Sequence, residues 1–178
     1  RFLSPEAERS DHFTVQEATF IEARDGFYQA TVTETGWPYV QFKGGPVGFV
    51  KVLDSKTLGY ADFRGNRQYI SLGNLKDDDR LSIIFMDYVN QARLKLLGHA
   101  RAIEIGEDQA LVDKLMVPEY RAQPERAVLI TLEGYDWNCP AHIPQRLTLS
   151  ELDRRFEPIR EELTRLRAEN EALRSRVS

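Results

Sequence analysis

Apolar and polar positions change period several times along this chain, and each change marks an element. Thr14-Val15-Gln16-Glu17 has the spacing of a capping box, with Phe13 and Ala18 placed as a hydrophobic staple, so a short helix is expected over 15–24. From Phe27 the pattern turns to β-branched and aromatic residues. Segments 27–33 and 37–43 flank Glu34-Thr35-Gly36 and read as paired strands. Segments 47–53 and 57–61 form a second hairpin around Asp54-Ser55-Lys56. A helix over 67–76, ended by Asp77-Asp78-Asp79, precedes a long hairpin, 81–89 and 92–105, turned at Asn90-Gln91. A helix over 107–116 and a last strand over 126–135 follow, and 138–144, with Cys139-Pro140 and Ile143-Pro144, is a loop. About six strands with tight turns and few, short helices predict a mainly β (α+β) domain built as a small antiparallel barrel. A sandwich has the same signature.

Near residue 150 the period changes again. Ser150 stands where a helix cap belongs. Leu152, Phe156, Ile159, Leu163, Leu166, Asn170, Leu173 and Val177 follow at alternating steps of four and three. This is a heptad pattern with Leu152, Ile159, Leu166 and Leu173 at d and Phe156, Leu163, Asn170 and Val177 at a. A polar Asn at a, beside Leu at d, favours a parallel two-stranded coil. Glu162 and Glu169 would face Arg167 and Arg174 of a second copy, whereas Arg155 would repel Arg160. Pro158 disfavours helix at Glu157, so the regular coil is expected to start near Pro158 and to be too short to hold a dimer alone. The alternative is an amphipathic helix packed on its own barrel. No dense basic segment precedes the heptads, which argues against a DNA-binding zipper.

Composition narrows the function classes. The chain has 178 residues, 42% hydrophobic and 29% charged, with a formal charge of -4. That acidity argues against general nucleic-acid binding, and no apolar run is long enough to span a membrane. Cys139 is the single cysteine, which excludes an intrachain disulfide and fits a reducing cytoplasm, the expected location. His12, His99 and His142 are widely separated, so no metal site is expected.

Against this acidic background, residues 60–75, YADFRGNRQYISLGNL, crowd Arg64, Gly65, Asn66 and Arg67 into one strand-to-helix corner. Asn66 is a good helix cap, Gly65 allows a tight bend, and arginines grip phosphate with paired hydrogen bonds. A helix N-terminus adds free N–H groups, so the corner suits an anion. Equally, it reads as a solvated turn whose arginines pair with Asp62 or with Asp77, Asp78 and Asp79. Lys43, Arg93 and Lys95 are further cations on strands. The stretch Gly44-Gly45-Pro46-Val47-Gly48-Phe49 reads either as a long turn or as backbone bare enough for a flat ring to approach.

Four stretches taken together resemble a known family: FYQATVTETGWPYVQFKGGPVGFVKVLD, GYADFRGNRQYISLGNLKDDDRLSIIFMDY, RLKLLGHARAIE and WNCPAHIP, spread over 13–146. The chain is similar to the pyridoxamine 5'-phosphate oxidase-related FMN-binding proteins, which have a split β-barrel fold. The resemblance implies an FMN-binding barrel over 1–146, with 147–178 as a separate C-terminal helix or coil. It implies a homodimer with two FMN sites shared between subunits and an FMN-dependent oxidoreductase activity. It places the phosphate at Arg64, Asn66 and Arg67 beside Asp62, and the ring against Gln41, Phe42, Lys43, Val47, Gly48 and Phe49. Arg93 would serve the same phosphate or the second subunit's flavin, and Trp137 and His142 would lie in the loop that closes the site. Lys43 is the expected cation beside a reduced ring, and NAD(P)H is a possible donor. Family oxidases carry an Arg-Leu-x-Pro-type segment for their substrate, but here Arg146-Leu147 runs into Thr148-Leu149. Vitamin B6 chemistry is therefore not expected. The alternative reading is a non-catalytic module binding flavin or haem, with the coil serving dimerisation; deazaflavin-binding relatives also exist.

Overall fold

The computed structural model describes residues 10–65, 67–137 and 140–177. In chain order the elements are α1 (Val15–Glu22), β1 (Gly26–Val32), β2 (Pro38–Gly44), β3 (Val50–Val52), β4 (Thr57–Phe63), α2 (Ile70–Asp77), β5 (Arg80–Asp87), β6 (Ala92–Glu104), α3 (Gln109–Leu115), β7 (Pro124–Trp137) and α4 (Leu149–Val177). All strand pairs are antiparallel, in one seven-stranded sheet ordered β2-β1-β5-β6-β7-β4-β3.

The two edge strands of this sheet are consecutive in the chain, and that forces its shape. Laid flat, seven strands would put β2 and β3 about 29 Å apart at about 4.8 Å per strand. The six residue steps from Gly44 to Val50 reach at most about 21 Å. The sheet must curl to bring its edges together, yet β2 and β3 do not pair. The result is a split barrel rather than a two-sheet sandwich.

Alternation along the strands fills the barrel. Phe27, Leu58, Tyr60, Ile83, Phe85, Leu94, Leu96 and Ile130 point inward and are buried, with Phe49 stacked on Phe27 at 5.9 Å between ring centroids. A second cluster, Ala61, Ile103, Val112, Leu115 and Ala127, lies under α3 on the outside of β4, β7 and β6. Helix α1 has the expected capping box, Thr14 with Glu17, and closes another flank of the barrel beside β3.

Three local expectations shift. Strand β3 covers only Val50–Val52, because Pro46 and Gly48 (φ 83°) hold a turn in which Phe49 N–H bonds Pro46 O. Helix α2 starts at Ile70, not at residue 67, with Tyr69 left-handed (φ 51°) at its cap and no side-chain cap bond. Asn66, expected as that cap, lies outside the described residues, as does Cys139. Helix α4 starts at Leu149, capped by a Thr148–Glu151 box two residues before the expected Ser150, and it runs unbroken through Pro158. The ring of Pro158 costs one backbone bond without ending the helix.

Candidate functional site

The corner that follows β4 opens onto the mouth of the barrel, where a row of charges crosses four strands. Arg126 on β7 stands directly opposite Asp62 on β4 and opposite Glu104 on β6. Its guanidinium lies 3.1 Å from Asp62 Oδ2 and 3.4 Å from Glu104 Oε1. The other Asp62 oxygen accepts from Lys43 Nζ at 2.8 Å. The order Glu104–Arg126–Asp62–Lys43 therefore alternates in sign and bridges the split to the free edge of β2. Tyr69 packs its ring 5.0 Å from the Arg126 guanidinium and donates its hydroxyl to Glu125 at 3.0 Å.

Helix α2 covers the inner side of this mouth. Ser71 Oγ donates to Gln41 Oε1 at 2.8 Å, and Asn74 Nδ2 donates to Thr31 Oγ1 at 2.9 Å. Deeper in, the buried Tyr60 hydroxyl donates to Gln29 Oε1 at 3.2 Å. Burial, and then the charge of Asp62, push the Tyr60 phenol far above its ordinary value, so it stays protonated. Gln29 Nε2 is buried with no hydrogen-bond partner among the described residues, and Gln29 lines a cavity of about 70 Å³ with Gln41, Lys43, Tyr60, Asp62, Arg67 and Ser71. The cavity holds water-sized groups and not a tricyclic ring, so a ring of that size can only lie outside it.

Arg67 lines the mouth, whereas Arg64 follows β4 with its backbone N–H on Gln123 O; both are exposed, and neither forms an ion pair with a described residue. Asp62 is instead held by Lys43 and Arg126. Arg67 lies in left-handed backbone (φ 62°), and a Cβ on Gly65 would meet nothing within 4 Å, so the corner is open on its outer side. Gln41, Lys43, Asp62 and Arg67 thus gather at one mouth, with Arg64 next to it in the chain.

The other expected residues lie elsewhere. Phe42 alternates with Gln41 and Lys43 and points to the outer face, edge-on to Tyr28 at 5.3 Å. Val47 is exposed beside Phe42, and Gly48 makes the turn. Phe49 is a core residue, and the bare backbone at Gly45 accommodates this ring, since a Cβ there would meet Phe49 at 2.6 Å. Arg93 points outward from β6, three strands from β2, and its Nε is buried without a partner among the described residues. Trp137 points inward, donating Nε1–H to Glu17 at 2.8 Å and meeting Phe20 edge-on. His142 is exposed in left-handed backbone.

Arg126, Tyr69, Ser71 and Gln29 were not anticipated in the mouth. The signal for Arg126 was present only as cross-strand register with Asp62, 64 residues apart. Among the described residues there is no acidic, cysteine and histidine cluster suited to a metal, and no helix long and apolar enough to cross a membrane.

Residues 13–133, more than half of the chain, match the family model of pyridoxamine 5'-phosphate oxidase, and the chain belongs to that family. Its fold is shared with HupZ of Group A Streptococcus, at TM-score 0.54 and 21% identity over 69% of this chain and 92% of the other. It is shared with a Clostridium acetobutylicum protein of the pyridoxinephosphate oxidase family, related to general stress protein 26 of B. subtilis. That match has TM-score 0.51 and 17% identity, over 77% of this chain and 94% of the other. An FMN-binding protein from Syntrophomonas wolfei aligns at TM-score 0.50 and 9% identity, over 70% of this chain and 87% of the other. At these identities the likeness is one of fold. No curated protein matches the chain.

Proposed function

We propose that this protein binds FMN and acts as an FMN-dependent oxidoreductase, with the phosphate held at the 64–71 corner. The observation that carries this reading is Arg67 at the barrel mouth with Arg64 on the same corner, both exposed and engaged by no described carboxylate, in a chain of this family. Two free guanidiniums beside an open glycine turn fit a phosphomonoester. The orphaned Gln29 amide offers a donor to an acceptor entering the mouth. The ring would run along the free edge of β2, past Gln41, Phe42 and Lys43. The FMN-binding protein of shared fold supports the choice of ligand.

The site is read as shared in a homodimer. Gln41, Lys43 and Asp62 face the mouth, whereas Arg93 faces out through the sheet three strands away. One ligand touches both groups only if a second copy supplies one of them. The outer face that carries Tyr28, Val40 and Phe42 is exposed among the described residues and is the surface for that copy.

When bound, flavin supplies hydride or electron transfer. The chain positions it: Arg64 and Arg67 would anchor the phosphate, and Lys43, already shared with Asp62, would set the charge beside the ring. Purified protein should show flavin absorbance, and a haem Soret band in its place would sink the reading. The double variant Arg64→Ala with Arg67→Ala should weaken FMN binding by at least about a hundredfold, as two lost charge-assisted contacts require. Unchanged affinity would reject the assignment. Bleaching of the bound flavin by NAD(P)H would separate an enzyme from a non-catalytic binder.

A further inference from the structure

The described residues of its own chain leave the apolar seam of α4 exposed. Leu152, Phe156, Ile159, Leu163, Leu166 and Leu173 are each 38–60% exposed. A helix of 29 residues is about 44 Å long, and in water it takes most of its stability from packing its apolar face. Packing on its own barrel, one of the two sequence readings, is therefore not what the fold provides.

Two features remove the obstacles to pairing. Pro158 falls at heptad position c, away from the seam, and the helix continues through it, so the seam begins at Leu152. Arg160, expected to repel Arg155 of a second copy, is held in its own helix by Asp153 at 2.6 Å and Glu157 at 3.2 Å. The geometry points to α4 pairing with α4 of a second copy as a parallel, in-register two-stranded coil. Asn170 then meets its own equivalent, and the g residues Glu162, which also pairs with Arg165 of its own helix at 2.7 Å, and Glu169 face Arg167 and Arg174 of the other. A sequence whose g and e charges complement themselves, around one polar a position, selects a second copy over a foreign helix. The first turn of α4 adjoins a groove of about 710 Å³ beside Tyr28 and Phe42, so the coil continues from the uncovered sheet face.

The test is disulfide trapping of the full chain in a Cys139→Ser background. Leu173→Cys (d) should give a covalent dimer at least about tenfold faster than Ala168→Cys (f), because only d–d pairs bring Cβ atoms within disulfide reach. Equal rates at the two positions would overturn the proposal. So would no dimer from Leu173→Cys, or a monomeric mass for the unmodified chain at equilibrium sedimentation. In a mixture of the two chains, fast formation of the mixed Leu152→Cys to Leu173→Cys cross-link, rather than of the two like-with-like dimers, would indicate an antiparallel pair and overturn it as well. The inference does not depend on flavin: colourless protein that cross-links at Leu173→Cys sustains the coil while rejecting the cofactor reading.

Discussion

Lys43 Nζ lies 2.8 Å from Asp62 Oδ1, although the strands that carry them share no backbone ladder. Through this pair the free edge of β2 is tied to β4, and the second Asp62 oxygen carries the tie on to Arg126. All three side chains are largely buried, at 20%, 16% and 9% exposure. Removing the central carboxylate leaves two cations facing each other at the mouth.

Asp62→Asn should therefore lower stability by about 2 kcal/mol, somewhat below the loss for a fully buried broken pair. Lys43→Met should cost less, about 1 kcal/mol, because Asp62 keeps Arg126. Urea denaturation of both variants and of the double variant gives the coupling energy. A coupling near zero would show that the pair does not hold the split together.

Acid sensitivity should trace to Glu17. Burial pushes its carboxyl up, but hydrogen bonds from Thr14 and from Trp137 Nε1 outweigh this and hold it below the ordinary carboxylate value. A carboxylate depressed in the folded state stabilises fully above its unfolded value, and that contribution is lost as pH falls through the lower, folded one. Glu17→Gln should thus be less stable than the parent at neutral pH, with the gap closing below about pH 4.5, the unfolded value. Thermal melts across pH 3 to 7 measure it, and a gap that stays constant would exclude the ionised carboxylate as its cause.

Two glycines should respond in opposite directions to alanine. A Cβ at Gly98 would fall 2.5 Å from Thr131 O, where the β6–β7 register shifts. Gly98→Ala should cost about 1–3 kcal/mol. Gly73 is exposed within α2, with nothing within 4 Å of its added Cβ, so Gly73→Ala should gain about 0.5–1 kcal/mol. Denaturation midpoints that move the same way in both variants would contradict this.

Local signals were legible where the cause was local. The Thr14–Glu17 box, the strand periods and the helix that carries the heptads each depend on neighbours a few residues apart, and the box, the strands and the helix are all present. What escaped was decided at long range. Asn66 looks like a cap, but the chain turns through left-handed Arg67 and Tyr69 before α2 begins at Ile70. Asp62 offered an obvious partner to the nearby arginines, yet register hands it to Arg126 and curling of the sheet hands it to Lys43. Gly44-Gly45 suggested room for a foreign ring, and the chain's own Phe42 and Phe49 lie against it.

The strand order has a consequence for how the chain is born. The first four strands leave the ribosome as two hairpins, β1–β2 and β3–β4, that never touch through a ladder. The meander β5-β6-β7 is inserted between them, with β5 joining β1 and β7 joining β4. The β1–β2 hairpin can gain β5 once Asp87 has emerged, but the β3–β4 hairpin has no strand to join until β7 emerges. Until then the two halves of the sheet stand unmatched, and a truncation within β7 would leave them unjoined.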